Sequence, residues 1–147
     1  EEQIHTRVRE LGAEISRDYA GKEPLFVGVL KGCFIFMADL FREVTIHGSV
    51  DFMAVSSYGN GTSSTGAVKN NKDLSQDIEN RDVIIVEDIL DSGITLSYLT
   101  KYLQNRKPSS ICIATLLDKP ARRRADVQAK YVGFTVPDAF VVGYGLD

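Results

Sequence analysis

Three carboxylates, Glu87, Asp88 and Asp91, stand beside Ser92, Gly93 and Thr95 in the stretch "VIIVEDILDSGITLSYL", residues 83–99. The two sets suit different ligand groups. Backbone N–H groups at a helix start are unpaired and carry partial positive charge. Gly93 would let an oxygen come close to them, and Ser92 and Thr95 add hydroxyl donors, so the turn suits a phosphate. Carboxylates repel phosphate, but they accept hydrogen bonds from sugar hydroxyls and hold Mg²⁺. A phosphorylated ribose needs both sets. The turn would take its phosphate, Glu87 and Asp88 its diol, and Asp91 would face its reactive carbon. Neither GxxxxGK[ST] nor GxGxxG occurs here, which excludes the Walker and dinucleotide loops. The plainer alternative is that Asp91 or Ser92 only caps a helix.

These residues need a frame. Ile4, Val8, Leu11 and Ile15 recur at helical spacing, so 2–19 is expected to be an amphipathic helix that ends at Gly21 and Pro24. Strands are expected at 25–30, 49–58, 82–87, 110–118, 131–136 and 140–145, with helices at 34–44 and 94–105. Residues 59–71, dense in Gly, Ser, Thr and Asn, are expected to form a long mobile loop, or a hairpin with strand-like arms. Alternation of strand and helix predicts an α/β fold, a mainly parallel sheet covered on both faces. Ligands bind such sheets beyond the carboxyl ends of the strands. "KGC", "EDILDSGIT" and "DKP" all follow strands and should gather on one edge.

The whole chain bounds the answer further. Its 147 residues fit one domain, and 44% are hydrophobic. A net charge of −3 argues against a dedicated nucleic-acid binder. No apolar run approaches a membrane span, and the charged N-terminus does not resemble a secretion signal. Cys33 and Cys112 sit in apolar surroundings and are expected to be buried, reduced thiols of a cytoplasmic protein. With only His5 and His47 beside them, they do not make a zinc set. Arg122-Arg123-Arg124, flanked by Asp118 and Asp126, is expected to be a solvated or subunit-facing patch.

"VIIVEDILDSGIT" closely resembles the phosphoribosyl-pyrophosphate signature of the purine phosphoribosyltransferases, the 6-oxopurine branch in particular. The likeness runs along the chain. "VGVLKGCFIFMADL" is similar to that family's pyrophosphate-loop segment, and "AVSSYGNGTSSTG" to its flexible active-site loop. "LLDKP" and "VPDAFVVGYGLD" are similar to its base-recognition segments. The resemblance implies a type I phosphoribosyltransferase fold with a small hood. It implies a Mg²⁺-dependent pentosyltransferase of purine salvage. Hypoxanthine or guanine and phosphoribosyl pyrophosphate would give IMP or GMP and pyrophosphate.

By that resemblance, Asp91 is the base at purine N7, and Asp91, Ser92, Gly93, Ile94 and Thr95 hold the 5′-phosphate. Glu87 and Asp88 hold ribose hydroxyls and, with Asp147, Mg²⁺. Leu30, Lys31 and Gly32 bind pyrophosphate, with a peptide before the lysine that is often cis in the family. Lys119 donates to the purine 6-oxygen, Phe140 stacks on the base, and Val141 offers its carbonyl to guanine's 2-amino group. Ser57 and Tyr58 start the closing loop. A homodimer or homotetramer is implied. Two departures stand out. Asn70-Asn71 replaces apolar residues and is expected to loosen the far arm of the loop. The chain stops at Asp147, where relatives continue with a pyrophosphate-contacting arginine, so a C-terminal segment is expected to be missing. Two rival readings share some of these features. One is a regulatory protein of the same fold that senses phosphoribosyl pyrophosphate and grips nucleic acid. The other is a phospho-acceptor receiver domain. The first would want a basic face, and the second would not need the Ser/Gly/Thr turn.

Overall fold

The computed structural model describes residues 2–57 and 68–137. In chain order the elements are α1 (Glu2–Asp18), β1 (Leu25–Leu30), α2 (Phe34–Glu43), β2 (Ser49–Ser57), β3 (Val68–Lys72), β4 (Asp82–Leu90), α3 (Ile94–Gln104), β5 (Ser110–Asp118) and β6 (Tyr131–Thr135). The strands form a single sheet in the order β3-β2-β1-β4-β5-β6. All neighbours pair in parallel except β3, which returns antiparallel along β2. This is the expected mainly parallel sheet, and β3 is the far arm of the expected hairpin. The strand expected at 140–145 lies outside the described residues.

The apolar residues of β4 explain why its flanks are covered. Val83 and Ile85 join α3 residues Leu96, Leu99 and Leu103 on one face. Ile84 and Val86 join α1 and α2 residues Leu11, Ile15, Phe36 and Leu40 on the other. Each such side chain contributes about 1.5–3 kcal/mol when fully buried. Successive strand residues face opposite ways, so a strand covered on both faces must be apolar throughout. The strand is longer than expected. It runs to Leu90, with Ile89 and Leu90 still in register with Leu117 and Asp118 of β5. Acidic residues at 87 and 88 made it look finished, but their side chains turn back on the chain. Glu87 Oε1 accepts from the N–H of Asp88 at 3.0 Å, and Asp88 Oδ1 from the N–H of Ile89 at 2.8 Å.

Parallel pairing sets the ends of β1, β4 and β5 side by side, which gathers the three expected turns on one edge. The N–H of Lys119, just past β5, donates to Leu90 O at the end of β4, 2.9 Å away. The far arm carries side-chain ties. Asn70 donates to Tyr102 Oη at 3.3 Å and Asn71 to Ser56 Oγ at 3.1 Å, so both amides spend their polarity on neighbours. Cys33 is buried as expected, whereas Cys112 is only partly so, its thiol 3.2 Å from Tyr19 Oη. No helix among the described residues is long and apolar enough to cross a membrane.

Candidate active site

A cleft of about 370 Å³ opens where these strand ends meet. Leu30 and Gly32 line it from the turn after β1, Glu87 and Asp88 from β4, and Asp91, Ser92, Gly93 and Thr95 from the turn into α3. Eight residues singled out in the sequence thus share one cavity. Val29, Val55, Ile89, Leu90 and Leu96 supply its apolar wall. The sequence reading missed them, because an apolar residue at a strand end has the same signature whether it faces core or cleft. Ile94 lies on the other side of the turn, in a neighbouring cavity. Lys31 is exposed in the β1–α2 connection. Lys119 is buried to 7% exposure, unusual for a lysine and different from a surface residue after a strand. Ser57 ends β2. Tyr58, Phe140, Val141 and Asp147 lie outside the described residues.

The turn before α3 is built for close approach. Gly93 takes φ +82°, a left-handed conformation that favours glycine. A Cβ there would lie 2.4 Å from Val127 Cγ1. The N-cap residue, Gly93, has no side chain to cap with. Ser92 Oγ accepts only a long 3.4 Å contact from the N–H of Ile94, and Asp91 does not cap. Capping therefore accounts in part for Ser92, through one long bond, and not for Asp91. Facing this turn, Gly32 packs directly on Asp88, and a Cβ on Gly32 would meet Asp88 Oδ2 at 2.6 Å. The Leu30–Lys31 peptide beside it is cis, as the family resemblance implied.

Electrostatically the floor of the cleft is acidic. Burial and then the neighbouring Asp88 push the Glu87 carboxyl well above the usual range. The thiol of Cys33, beneath the loop, is pushed up to about 12 by burial and by Glu87 and Asp88. A bound cation would relieve this crowding of negative charge. Among the described residues no group of three or more Asp, Glu, His or Cys could hold a metal ion by itself. Two carboxylates do fit Mg²⁺, which takes one or two from protein and completes its shell with water and substrate phosphate.

The arginine run is not a free patch. The N–H groups of Arg124 and Ala125 donate to Ser92 O at 2.7 and 3.2 Å, and Arg123 Nε to Asp91 O at 3.2 Å. Arg123 is itself held by Asp118 and by Val127 O. Arg122 Nε lies 2.8 Å from Asp91 Oδ1. The segment after β5 thus clasps the turn from behind, a role that consecutive arginines in a sequence do not disclose.

Comparison with known proteins gives the family. The family model described as "Phosphoribosyl transferase domain" matches residues 1–147. The chain is 57% identical over its full length to the hypoxanthine-guanine phosphoribosyltransferase of Bacillus subtilis, covering 82% of that protein. A crystal structure of a hypoxanthine phosphoribosyltransferase from Staphylococcus aureus superposes with a TM-score of 0.96 at 56% identity, covering 99% of this chain and 79% of that one. A Trypanosoma cruzi hypoxanthine phosphoribosyl transferase, studied for the role of its C-terminal region in oligomeric state and enzymatic activity, matches at 0.93 and 42%, covering 99% and 80%. Matched by the family model along its whole length and more than half identical to these bacterial relatives, the chain belongs to the phosphoribosyl transferase family, and within it to the hypoxanthine-guanine phosphoribosyltransferases.

Proposed function

We propose that the protein transfers ribose 5-phosphate from phosphoribosyl pyrophosphate to hypoxanthine or guanine, giving IMP or GMP and pyrophosphate. One observation carries the reading: a glycine-opened helix start and two adjacent carboxylates line one cleft. A phosphorylated sugar uses both. The 5′-phosphate takes the backbone donors from Asp91 to Thr95, and Glu87 and Asp88 take the ribose hydroxyls. Leu30 to Gly32 receive the pyrophosphate. Bond breaking at C1′ runs ahead of bond making, so the sugar becomes cation-like, and catalysis is placement plus charge stabilisation. Mg²⁺, held by Glu87 and Asp88 and joined by Asp147, would neutralise pyrophosphate charge. Asp91 shares the proton on purine N7. Lys119 donates to the 6-oxygen, a bond that adenine's amino group cannot accept, while Phe140 and Val141 recognise the rest of the base. Ser57 and Tyr58 begin the segment that shields the reacting centre. A cytoplasmic homodimer or homotetramer is the assembly and location we infer. The negative net charge, and the pairing of Arg122 with Asp91 and of Arg123 with Asp118, do not favour a nucleic-acid-binding regulator.

The test offers hypoxanthine, guanine, xanthine, adenine and orotate separately, with phosphoribosyl pyrophosphate and Mg²⁺, and reads nucleotide by chromatography. Hypoxanthine and guanine are expected to react, adenine and orotate not. Product from adenine would remove the role given to Lys119. Asp91→Asn is expected to lower kcat far more than it raises KM, and equal losses in both would remove Asp91 as the base.

A further inference from the structure

We propose that Arg122 is a positioning residue for the transfer reaction, anchoring one oxygen of Asp91 from behind so that the other faces the cleft. The inference rests on the functional reading above, in which Asp91 meets the purine. Arg122 Nε is 2.8 Å from Asp91 Oδ1. That oxygen is closed to solvent and accepts no aligned hydrogen bond, so the contact is an ion pair. The Asp91 side chain is nevertheless 44% exposed. Its accessible polar atom is therefore Oδ2.

The two cavities give the direction of the contact. Asp91 is shared between the cleft and a second cavity of about 500 Å³. Arg122 lines the second cavity together with Ser92, Ile94 and Arg124, and does not line the cleft. It therefore reaches Asp91 from outside the cleft. Its own place is fixed by a short 3₁₀ turn, Pro120–Arg122, in which the N–H of Arg122 donates to Lys119 O at 3.1 Å. That same turn begins at the lysine assigned to the purine 6-oxygen. One rigid piece of chain thus sets both the group that recognises the base and the orientation of the group at N7. A carboxylate held at one oxygen loses its free rotation, and a reaction that depends on placement loses rate when that rotation returns.

The test compares Arg122→Ala, Arg122→Lys, Asp91→Asn and the Arg122→Ala/Asp91→Asn double variant by steady-state kinetics, each with a thermal melt. Arg122→Ala is expected to lower kcat on the order of tenfold, as a misplaced reacting group does. KM for phosphoribosyl pyrophosphate and Tm are expected to hold. Arg122→Lys, which keeps the charge but not the planar fork, recovers part of the rate. In the Asp91→Asn background the Arg122 substitution is expected to cost nothing further. An unchanged kcat in Arg122→Ala, an equal loss in both backgrounds, or a higher kcat with a lower KM for the base would each overturn the proposal. The last would make Arg122 a competitor of the substrate. Where the alanine variant lowers Tm, Arg122→Gln takes its place. A second readout needs no activity. A crystal structure of Arg122→Ala is expected to show the Asp91 carboxylate spread over rotamers, and a single unmoved rotamer overturns the positioning role. Absence of product from the unaltered chain would overturn the functional reading alone, because the rotamer readout stands apart from it.

Discussion

Gly93 carries two requirements at once. Its φ of +82° is a left-handed conformation, and its missing Cβ leaves room for Val127 Cγ1, 2.4 Å from where that Cβ would be, and for Arg123 Cδ at 3.1 Å. Gly93→Ala is therefore expected to lose about 2–4 kcal/mol, from left-handed strain and overpacking together. Adding Val127→Ala should remove the overpacking and leave the strain, so the double variant should melt between the alanine variant and the unaltered chain. An unchanged Tm in Gly93→Ala would mean that the turn has room it is not drawn with. This residue was legible in the sequence as a place for close approach, because Gly between Ser92 and Ile94 at a strand-to-helix junction has few other uses. The neighbour it avoids was not legible. Val127 arrives from a segment 34 positions later, and no local pattern announces such a contact.

At the scale of elements, the antiparallel arm β3 is tied to α3 through Asp73. Tyr102 Oη donates to Asp73 Oδ2 at 2.6 Å, Arg106 pairs with the same oxygen, and the Arg106 guanidinium lies 4.9 Å from the centre of the Tyr102 ring. Burial pushes the Asp73 carboxyl up. Hydrogen bonds from Arg106, Tyr102 and the N–H of Leu74, with the Arg106 charge, outweigh it and hold the group at about 2, below its ordinary 3.8. A carboxyl depressed on folding contributes stability above its unfolded value and loses it as pH falls toward its folded value. The Tm gap between the unaltered chain and Asp73→Asn is thus expected to be full at neutral pH and to close between about pH 4 and 2. A gap that stays constant across that range would show that the pair adds nothing to stability. The sequence predicted the core strands and helices well, because β1, β4 and β5 are buried on both faces and must be apolar throughout. It ended β4 too early, and it did not show what Asn70-Asn71 would bond. Both are polar stretches whose partners are backbone N–H groups and distant hydroxyls, which hydrophobic patterning does not register.

Across the whole molecule, two apolar layers hold the sheet from opposite faces, while the cleft lies at the carboxyl ends of β1, β2 and β4 and the turn into α3. A ligand in it touches several segments that only the fold brings together, and so binds the folded chain alone. Such binding stabilises by RT ln(1 + [L]/Kd), about 2.7 kcal/mol at a ligand concentration of 100 Kd. For a chain of 147 residues this corresponds to a rise in Tm of about 5–10 °C, at about 2–4 °C per kcal/mol. Phosphoribosyl pyrophosphate with Mg²⁺ is expected to produce that rise and to keep raising Tm with the logarithm of its concentration. Chelating the metal should shrink the effect, since Glu87 and Asp88 then face the pyrophosphate charge uncompensated. Among nucleotides, GMP and IMP should raise Tm and AMP should not, if Lys119 has the role proposed for it, because only a 6-oxo group would accept from it. This melt separates two possibilities that an inactive preparation would confuse. A chain that responds to phosphoribosyl pyrophosphate and to GMP but makes no product has its binding cleft intact and lacks a step in the transfer. A chain that ignores both, or answers AMP as readily as GMP, does not bind the sugar and base where the carboxylates, the glycine turn and Lys119 are assigned.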